Sequence, residues 1–191
     1  MYAPGRLRES LRIALDPVDR PFEVPDGRRP AAVLLPLVDG PEPSVVFTRR
    51  TDHLPRHPGE ISFPGGMWHE HDPDLLETAL RETEEELGLS RDLVEVLGTL
   101  EPLQTFTTGY TIAPFVGALD VDPVFTANPA EIAEVLEFPV ARLLAVEQPR
   151  EWTREDEVYR GFVYEIDGHT IWGATARILH EFLERMREER T

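Results

Sequence analysis

Short apolar runs and stretches of helical periodicity alternate along this chain, which predicts a mixture of strands and helices. Two apolar runs, residues 31–38 and 44–49, flank the turn signal Asp39-Gly40 and predict a β-hairpin. Pro36 lies within the first run and favours an edge or bulge position for it. Further strands are predicted over residues 94–105, 111–119, 158–166 and 170–172, the last two joined by the turn signal Asp167-Gly168.

Three other segments predict helices or a connecting arm. Residues 6–14 carry Leu7, Leu11 and Ala14 at helical spacing, and a short helix is expected over residues 141–146. Residues 16–30 are rich in proline and charge, which is typical of an extended connection. A final helix over about residues 174–189 would bury an apolar side formed by Ala176, Leu179, Phe182, Leu183 and Met186.

The most informative helix lies between Asp72 and Gly88. We expect Asp72 to cap its N-terminus, with Pro73 in the first turn, and Gly88 to end it. Its buried side would be formed by Leu76, Leu80, Thr83 and Leu87.

Three glutamates of this helix share one face. Glu82, Glu85 and Glu86 are three or four residues apart, so their repulsion disfavours the bare helix. A divalent cation would reverse that effect, and a set of oxygen ligands suits Mg²⁺ or Mn²⁺. The alternative is that the glutamates form a solvated helix face without a ligand.

Length and charge narrow the class of protein. A chain of 191 residues suffices for one domain with a sizeable core. The net charge of −17 disfavours extended nucleic-acid binding, and the lack of cysteine excludes disulfides and thiolate metal sites. The sequence has neither a membrane-spanning apolar run nor a signal peptide, so we expect a cytoplasmic protein. The sequence leaves open whether it is a monomer or a homodimer.

The segment 48–66 concentrates positive charge in an acidic protein. Arg49, Arg50 and Arg56 lie within it, and a guanidinium group matches phosphate in a bidentate manner. These arginines would therefore bind a phosphorylated small molecule. Equally, they would pair with the many surface carboxylates.

The helix and the glycines before it resemble the Nudix signature, G-x5-E-x7-R-E-U-x-E-E-x-G-U, in which U is a bulky apolar residue. The matching residues are Arg81, Glu82, Glu85, Glu86, Gly88 and Leu89. Gly66 lies one residue farther from Arg81 than the signature prescribes, and Thr83 stands at the first U position. The first glutamate of the signature is replaced by Asp72 or displaced to Glu70.

The arginine segment resembles a pattern of Nudix coenzyme A diphosphatases, roughly L-L-T-x-R-S-x3-R-x3-G-x3-F-P-G-G. The matching residues are Thr48, Arg50, Gly59, Phe63, Pro64, Gly65 and Gly66. Thr51 and Pro55 depart from the pattern, and Arg56 follows one place after the expected second arginine. With the junction at residues 171–176, the resemblance covers about residues 30–185.

The resemblance implies an α/β fold, an α/β/α sandwich with a mixed central sheet and a loop-helix-loop signature. It implies a single domain over residues 1–191, with a helix and arm in residues 1–30 and the core in residues 31–185. The implied reaction is metal-dependent hydrolysis of the diphosphate of coenzyme A to 3′-phosphoadenosine 5′-phosphate and 4′-phosphopantetheine. Alternatives are another substrate, such as ADP-ribose or a dinucleoside polyphosphate, and a binding module of the same fold without catalysis.

The resemblance also assigns roles to residues. Glu82, Glu85 and Glu86 would bind Mg²⁺ or Mn²⁺, and Arg81 would orient these carboxylates by pairing with one of them. A later carboxylate would act as base, and Glu131 is the first choice, with Glu134 as its competitor. Gly65 and Gly66 would turn tightly beneath the site. Arg50 and Arg56 would contact phosphates of coenzyme A.

Overall fold

The computed structural model describes residues 6–54, 57–105, 108–154 and 157–188. Four helices are described, α1 (Arg6–Ala14), α2 (Leu75–Leu87), α3 (Val140–Val146) and α4 (Gly173–Glu188). The strands before α2 are β1 (Arg29–Val38), β2 (Ser44–Arg50), β3 (Ile61–Ser62) and β4 (Gly65–Met67). Those after it are β5 (Glu95–Thr99), β6 (Leu103–Gln104), β7 (Tyr110–Leu119), β8 (Ile132–Pro139), β9 (Glu147–Arg154), β10 (Glu157–Ile166) and β11 (His169–Ile171).

The main sheet is mixed, as predicted. Its strand order is β3-β2-β1-β7-β5, with β4 paired to β1, β6 to β7 and β8 to β2. β1 and β7 run parallel from the Arg29–Tyr110 pair to the Val38–Leu119 pair, whereas the other neighbours are antiparallel. A second sheet has the order β11-β10-β9, and its β10–β11 hairpin turns at the predicted Asp167-Gly168.

Helices cover both faces of the main sheet. On one face, α2 packs through Ala79 and Leu80 against Leu34 and Phe115 of the two parallel strands. On the other face, Leu35 of β1 belongs to a larger core that includes residues of α1 and α4. Because successive residues of β1 face opposite sides, its near-continuous apolar run is buried on both. The predicted sandwich is confirmed.

Pro36 does not mark an edge strand. β1 lies inside the sheet, between β7 on one side and both β4 and β2 on the other. The Leu34 N–H donates to the Pro64 carbonyl, on the side of β1 where β4 and β2 lie. The backbone nitrogen of Pro36, two residues later, points to the same side. The pairs with β4 end at Val33 and those with β2 begin at Leu37. Pro36 thus occupies the gap between two partners, where no N–H is needed.

The other elements follow the predictions with small shifts. The strand expected over residues 94–105 is divided into β5 and β6, and Pro102, which lacks an N–H, lies in the interruption. The apolar side of α4 is buried at all of its predicted positions, Ala176, Leu179, Phe182, Leu183 and Met186. No helix in the described ranges is both long and apolar enough to span a membrane.

Candidate active site

The start of α2 differs from the prediction. The helix begins at Leu75, and its cap is Asp74, whose side chain accepts a hydrogen bond of 2.8 Å from the Glu77 N–H. Pro73 therefore precedes the helix. The predicted end is confirmed, because Gly88 has a φ of 62° and donates its N–H to the Glu84 carbonyl at 2.9 Å.

Asp72 anchors the side chain of Arg81 instead of capping the helix. The buried Asp72 carboxylate accepts hydrogen bonds from Arg81 Nε at 2.9 Å and Nη2 at 3.0 Å. It also accepts from Thr78 Oγ1 at 2.9 Å and from the His69 N–H at 3.2 Å. The Arg81 guanidinium holds the pKa of Asp72 well below its usual range. Burial acts in the opposite direction, and the hydrogen bonds from Thr78 and His69 add to the lowering. Of the two carboxylates considered for the first half of the signature, Asp72 pairs with Arg81, whereas Glu70 is exposed.

Arg81 extends from this anchor to the helix glutamates. Its Nη1 donates to Glu82 Oε1 at 2.8 Å and to Glu85 at 3.3 Å, and its Nη2 lies 3.5 Å from the Met67 carbonyl. These carboxylates, with Asp72 first, raise the pKa of the Arg81 guanidinium. The predicted pairing of Arg81 with the glutamates is therefore present, and Arg81 fixes two of them relative to Asp72.

Glu86 points away from Arg81 and into the protein. Its side chain is only 5% exposed, accepts from the Gly65 N–H at 3.2 Å and lies 3.9 Å from Arg50 Nη1. Burial raises the pKa of Glu86 to about 8, the charges of Glu82 and Glu131 add to the rise, and the Gly65 N–H and Arg50 oppose it. Burial also raises the pKa of Glu82, against the effect of Arg81.

This electrostatic pattern fits a divalent cation. Two partly or fully buried carboxylates resist ionisation in the protein alone, and the neighbouring arginines offset their charge incompletely. A cation bound between oxygen ligands would favour the ionised forms, and Mg²⁺ and Mn²⁺ accept such ligands. The residues present are therefore compatible with the metal that the helix pattern predicts.

Gly65 and Gly66 allow the glutamates to approach the backbone of β4. A Cβ on Gly66 would lie 2.5 Å from Glu82 Cδ, so any larger residue would displace that carboxylate. Gly65 has a φ of 153°, and a Cβ there would lie 2.3 Å from the Ala32 carbonyl oxygen. The first glycine therefore permits close packing of β4 on β1, and the second leaves room for Glu82.

The far side of the site comes from β2 and the segment before β8. The pairing of these strands shifts register at Arg49 and Arg50, a bulge of the kind that redirects side chains. The buried Arg50 Nε has no hydrogen-bond partner among the described residues. The Arg50 guanidinium, whose Nη1 lies 3.9 Å from Glu86, therefore keeps hydrogen-bonding capacity that suits an anionic ligand.

Glu131 lies on the same side of the site. Its carbonyl accepts the Thr51 N–H at 2.9 Å, and its charge raises the pKa of both Glu82 and Glu86. Its competitor Glu134 instead lies 3.5 Å from Arg49 Nε. The structure therefore places Glu131, rather than Glu134, near the helix carboxylates. Arg56, the second predicted phosphate contact, lies outside the described residues.

A second group of possible metal ligands was not predicted from the sequence. Ligand atoms of Glu147, His180 and Glu184 all lie within 4.8 Å of one another. No three of the candidate-site carboxylates come that close in the described ranges. However, Glu147 already accepts from Tyr164 at 2.7 Å, His180 at 2.9 Å and Arg187 at 2.6 Å. With a guanidinium among its partners, this group resembles a structural ion-pair network more than a cation site.

A cavity of about 560 Å³ lies apart from the carboxylates. It is bounded by the arm at residues 18–22, by Trp68, by the first turn of α2 and by Phe115 of β7. Its lining is mainly apolar and includes none of the candidate site residues. The candidate carboxylates therefore lie outside this cavity.

Comparisons with known proteins agree with the signature. The NUDIX domain model matches residues 27–162. A protein of Photorhabdus laumondii described as an uncharacterized Nudix hydrolase, NudL, is 37% identical over 168 residues, or 87% of this chain and 89% of that protein. NudL of Yersinia pestis is 37% identical over 160 residues, or 83% of this chain and 80% of that protein.

Solved structures support the same fold. The Nudix domain of Shewanella oneidensis NrtR, crystallised with ADP ribose, has a TM-score of 0.55 and 16% identity, covering 91% of this chain and 95% of that one. The MutT protein of Methanosarcina mazei Go1 has a TM-score of 0.57 and 16% identity, covering 90% of this chain and 100% of that one. With a family model over most of its length and relatives at 37% identity, this chain belongs to the Nudix hydrolases, enzymes of phosphoric anhydride bonds that generally use divalent metal ions.

Proposed function

We propose that this protein hydrolyses the diphosphate of coenzyme A and its derivatives with Mg²⁺ or Mn²⁺. The products would be 3′-phosphoadenosine 5′-phosphate and 4′-phosphopantetheine. The observation that carries the hydrolytic part is the buried Glu86, held between the Gly65 N–H and Arg50 beside Glu82. The choice of coenzyme A rests on the segment from Thr48 to Gly66, which resembles the pattern of coenzyme A diphosphatases except at Thr51 and Pro55.

The residues divide the work of the reaction. Glu82, Glu85 and Glu86 would hold the cation, which when bound would neutralise charge on the diphosphate oxygens. Arg81, fixed by Asp72, would keep Glu82 and Glu85 in place. Arg50 would bind a phosphate through donors that its contacts with the protein leave unused.

Glu131 would act as the general base. Water would attack one phosphorus, Glu131 would take its proton, and the bond from that phosphorus to the bridging oxygen would break. The bridging oxygen would leave with the electron pair on the other phosphate. Glu131 is exposed and open to solvent water, whereas Glu86 is buried and bonded to the backbone.

The test is to incubate the protein with coenzyme A, with and without Mg²⁺ or Mn²⁺, and to identify the products by mass. We expect 4′-phosphopantetheine to appear only when a cation is present. ADP-ribose and dinucleoside polyphosphates should be compared at equal metal concentration. If ADP-ribose were preferred by about tenfold or more, coenzyme A would be the wrong substrate. If none of these compounds were cleaved, the catalytic proposal itself would fail.

Two variants of the same helix make this test specific. Glu86→Gln should lower turnover by at least about a hundredfold, because the lost ligand contributes to charge stabilisation in the transition state. Glu84→Gln is a matched control, since Glu84 is on the same helix but lies 3.5 Å from Arg91 rather than in the site. Equal activity of Glu86→Gln and Glu84→Gln would contradict the metal assignment.

A further inference from the structure

We propose that Arg29 recognises a second phosphate group on the nucleotide half of the substrate, such as the 3′-phosphate of coenzyme A. This inference rests on the proposed function, because it concerns which nucleotides that site prefers. It would make Arg29 a specificity-determining residue that separates 3′-phosphorylated nucleotides from plain nucleoside diphosphates.

Arg29 presents a positioned positive charge to solvent. It is exposed at the start of β1, and its guanidinium carbon lies 4.6 Å from the centre of the Tyr110 ring. A cation over an aromatic face is held in place without losing its hydrogen-bond donors to a carboxylate. No carboxylate partner of Arg29 is found in the part of the chain that the structure describes, although the protein carries a net charge of −17.

The neighbouring Arg28 has a different role. Its Nη1 donates to the Thr105 carbonyl at 3.0 Å and to the Tyr110 carbonyl at 2.9 Å. Arg28 thus ties the loop before β7 to the start of β1, whereas Arg29 leaves its donors available. Of these two adjacent arginines, Arg28 stabilises the fold and Arg29 faces solvent.

A chain of contacts joins Arg29 to the candidate active site. The Tyr110 hydroxyl lies 3.2 Å from Met67 Sδ, and the Met67 carbonyl lies 3.5 Å from Arg81 Nη2. Met67 is 41% exposed and directly follows Gly66, which touches Glu82. Tyr110, with Arg29 over its ring, is therefore in contact with the strand that packs against the glutamates.

The spacing along β1 suits a nucleotide. Ala32 is the cross-strand partner of Gly66, and Arg29 is three residues before Ala32, so about 10 Å of strand separates them. A ribose ring separates the diphosphate of coenzyme A from its 3′-phosphate, and the long arginine side chain extends the reach of Arg29 toward that phosphate. Guanidinium is the group that best matches phosphate geometry, and an unpaired cation in so acidic a protein favours a dianionic group there.

The experiment compares coenzyme A with 3′-dephospho-coenzyme A, which differ by this phosphate alone. Arg29→Gln should lower kcat/KM for coenzyme A by about tenfold and change that for the dephospho form by less than about twofold. Arg150→Gln, which removes an exposed arginine of β9, controls for the change in net charge and should leave both substrates unaffected. An equal loss on both substrates in Arg29→Gln would overturn the proposal.

A binding measurement separates this inference from the proposed reaction. Calorimetry should show adenosine 3′,5′-bisphosphate binding more tightly than AMP to the wild-type protein, and Arg29→Gln should remove the difference. If coenzyme A is not cleaved but this difference is seen, the reaction is wrong and Arg29 is still supported. If coenzyme A is cleaved and Arg29→Gln retains the full preference for the 3′-phosphate, the reaction stands and the role of Arg29 is wrong.

Discussion

Three glutamates on one face of α2 have very different surroundings. The Glu85 side chain is 59% exposed, Glu82 is 17% exposed against Gly66, and Glu86 is 5% exposed against Gly65. Helical spacing predicts that they share a face, but it does not tell which of them is covered. That depends on β4, whose two glycines bring the backbone close enough to bury Glu86.

Replacing Gly66 by alanine should impair activity more than stability. The three atoms nearest to the added Cβ all belong to the Glu82 carboxylate, the end of a flexible side chain that can move away. Moving it would displace a proposed metal ligand, so we expect kcat to fall by about tenfold or more while Tm changes by only a few degrees. Steady-state kinetics and thermal unfolding of the same preparation measure both effects.

Gly65→Ala is the matched comparison. Its Cβ would collide with the Ala32 carbonyl and the Val33 Cα, which are backbone atoms of a central strand, at a φ that favours glycine. We expect a loss of about 2 kcal/mol or more in the free energy of unfolding. If Gly66→Ala were the more destabilising of the two, our assignment of Gly65 to strand packing and of Gly66 to the space for Glu82 would be wrong.

At the level of elements, the end of α2 could be predicted from the sequence, but its start could not. Asp72 and Asp74 flank Pro73, and either aspartate is chemically suited to cap the helix. The choice depends on Arg81, which lies two turns into the helix and takes Asp72 as its partner. The end at Gly88 was predictable because a helix commonly ends with a residue in the left-handed conformation, which glycine adopts without strain. The start was decided by a contact between distant residues.

Asp72→Asn should therefore reduce stability in a pH-dependent manner. The folded-state pKa of Asp72 lies well below its ordinary value of 3.8, so the stabilisation is complete above pH 3.8 and is lost gradually as the pH falls from there through the lowered pKa. We expect the variant to be less stable by about 2 kcal/mol from pH 5 to pH 8, because a buried partner of Arg81 loses its charge. The difference should shrink below about pH 4, as measured by urea unfolding.

Asp74→Ala serves as the control for the cap. Removing a side-chain cap should cost about 1 kcal/mol and should leave the Arg81 contacts intact. Kinetic measurements should show near wild-type activity. If Asp74→Ala impaired activity as strongly as Asp72→Asn, the separation of capping from anchoring would not hold.

At the scale of the whole molecule, the site joins segments that are distant in sequence. The pairing of β2 with β8 brings the backbone of Glu131 to Thr51, and a bulge in that pairing positions Arg50. The helix that carries the glutamate cluster followed from a local pattern, and the sandwich fold followed from the resemblance of that pattern to the family. Glu131 was already the first choice from the sequence, and the sheet register determines that it lies beside the helix carboxylates while Glu134 lies beside Arg49. Because the protein has an excess of negative charge, most arginines can pair with carboxylates, so an incompletely paired arginine such as Arg50 indicates a possible site for an anionic ligand.

The metal assignment makes a prediction for the stability of the entire protein. Protein treated with a chelator should gain stability when Mg²⁺ or Mn²⁺ is added, because a ligand that binds only the folded state stabilises it by about 2.7 kcal/mol at a hundred times its Kd. For a chain of this length, that corresponds to an increase in Tm of about 5 to 10 °C. Glu86→Gln should lose most of this increase, whereas Glu84→Gln should retain it. His180→Asn tests the second group of ligands: if it abolished the increase and Glu86→Gln did not, the cation would bind at Glu147 and His180 instead of at the signature helix.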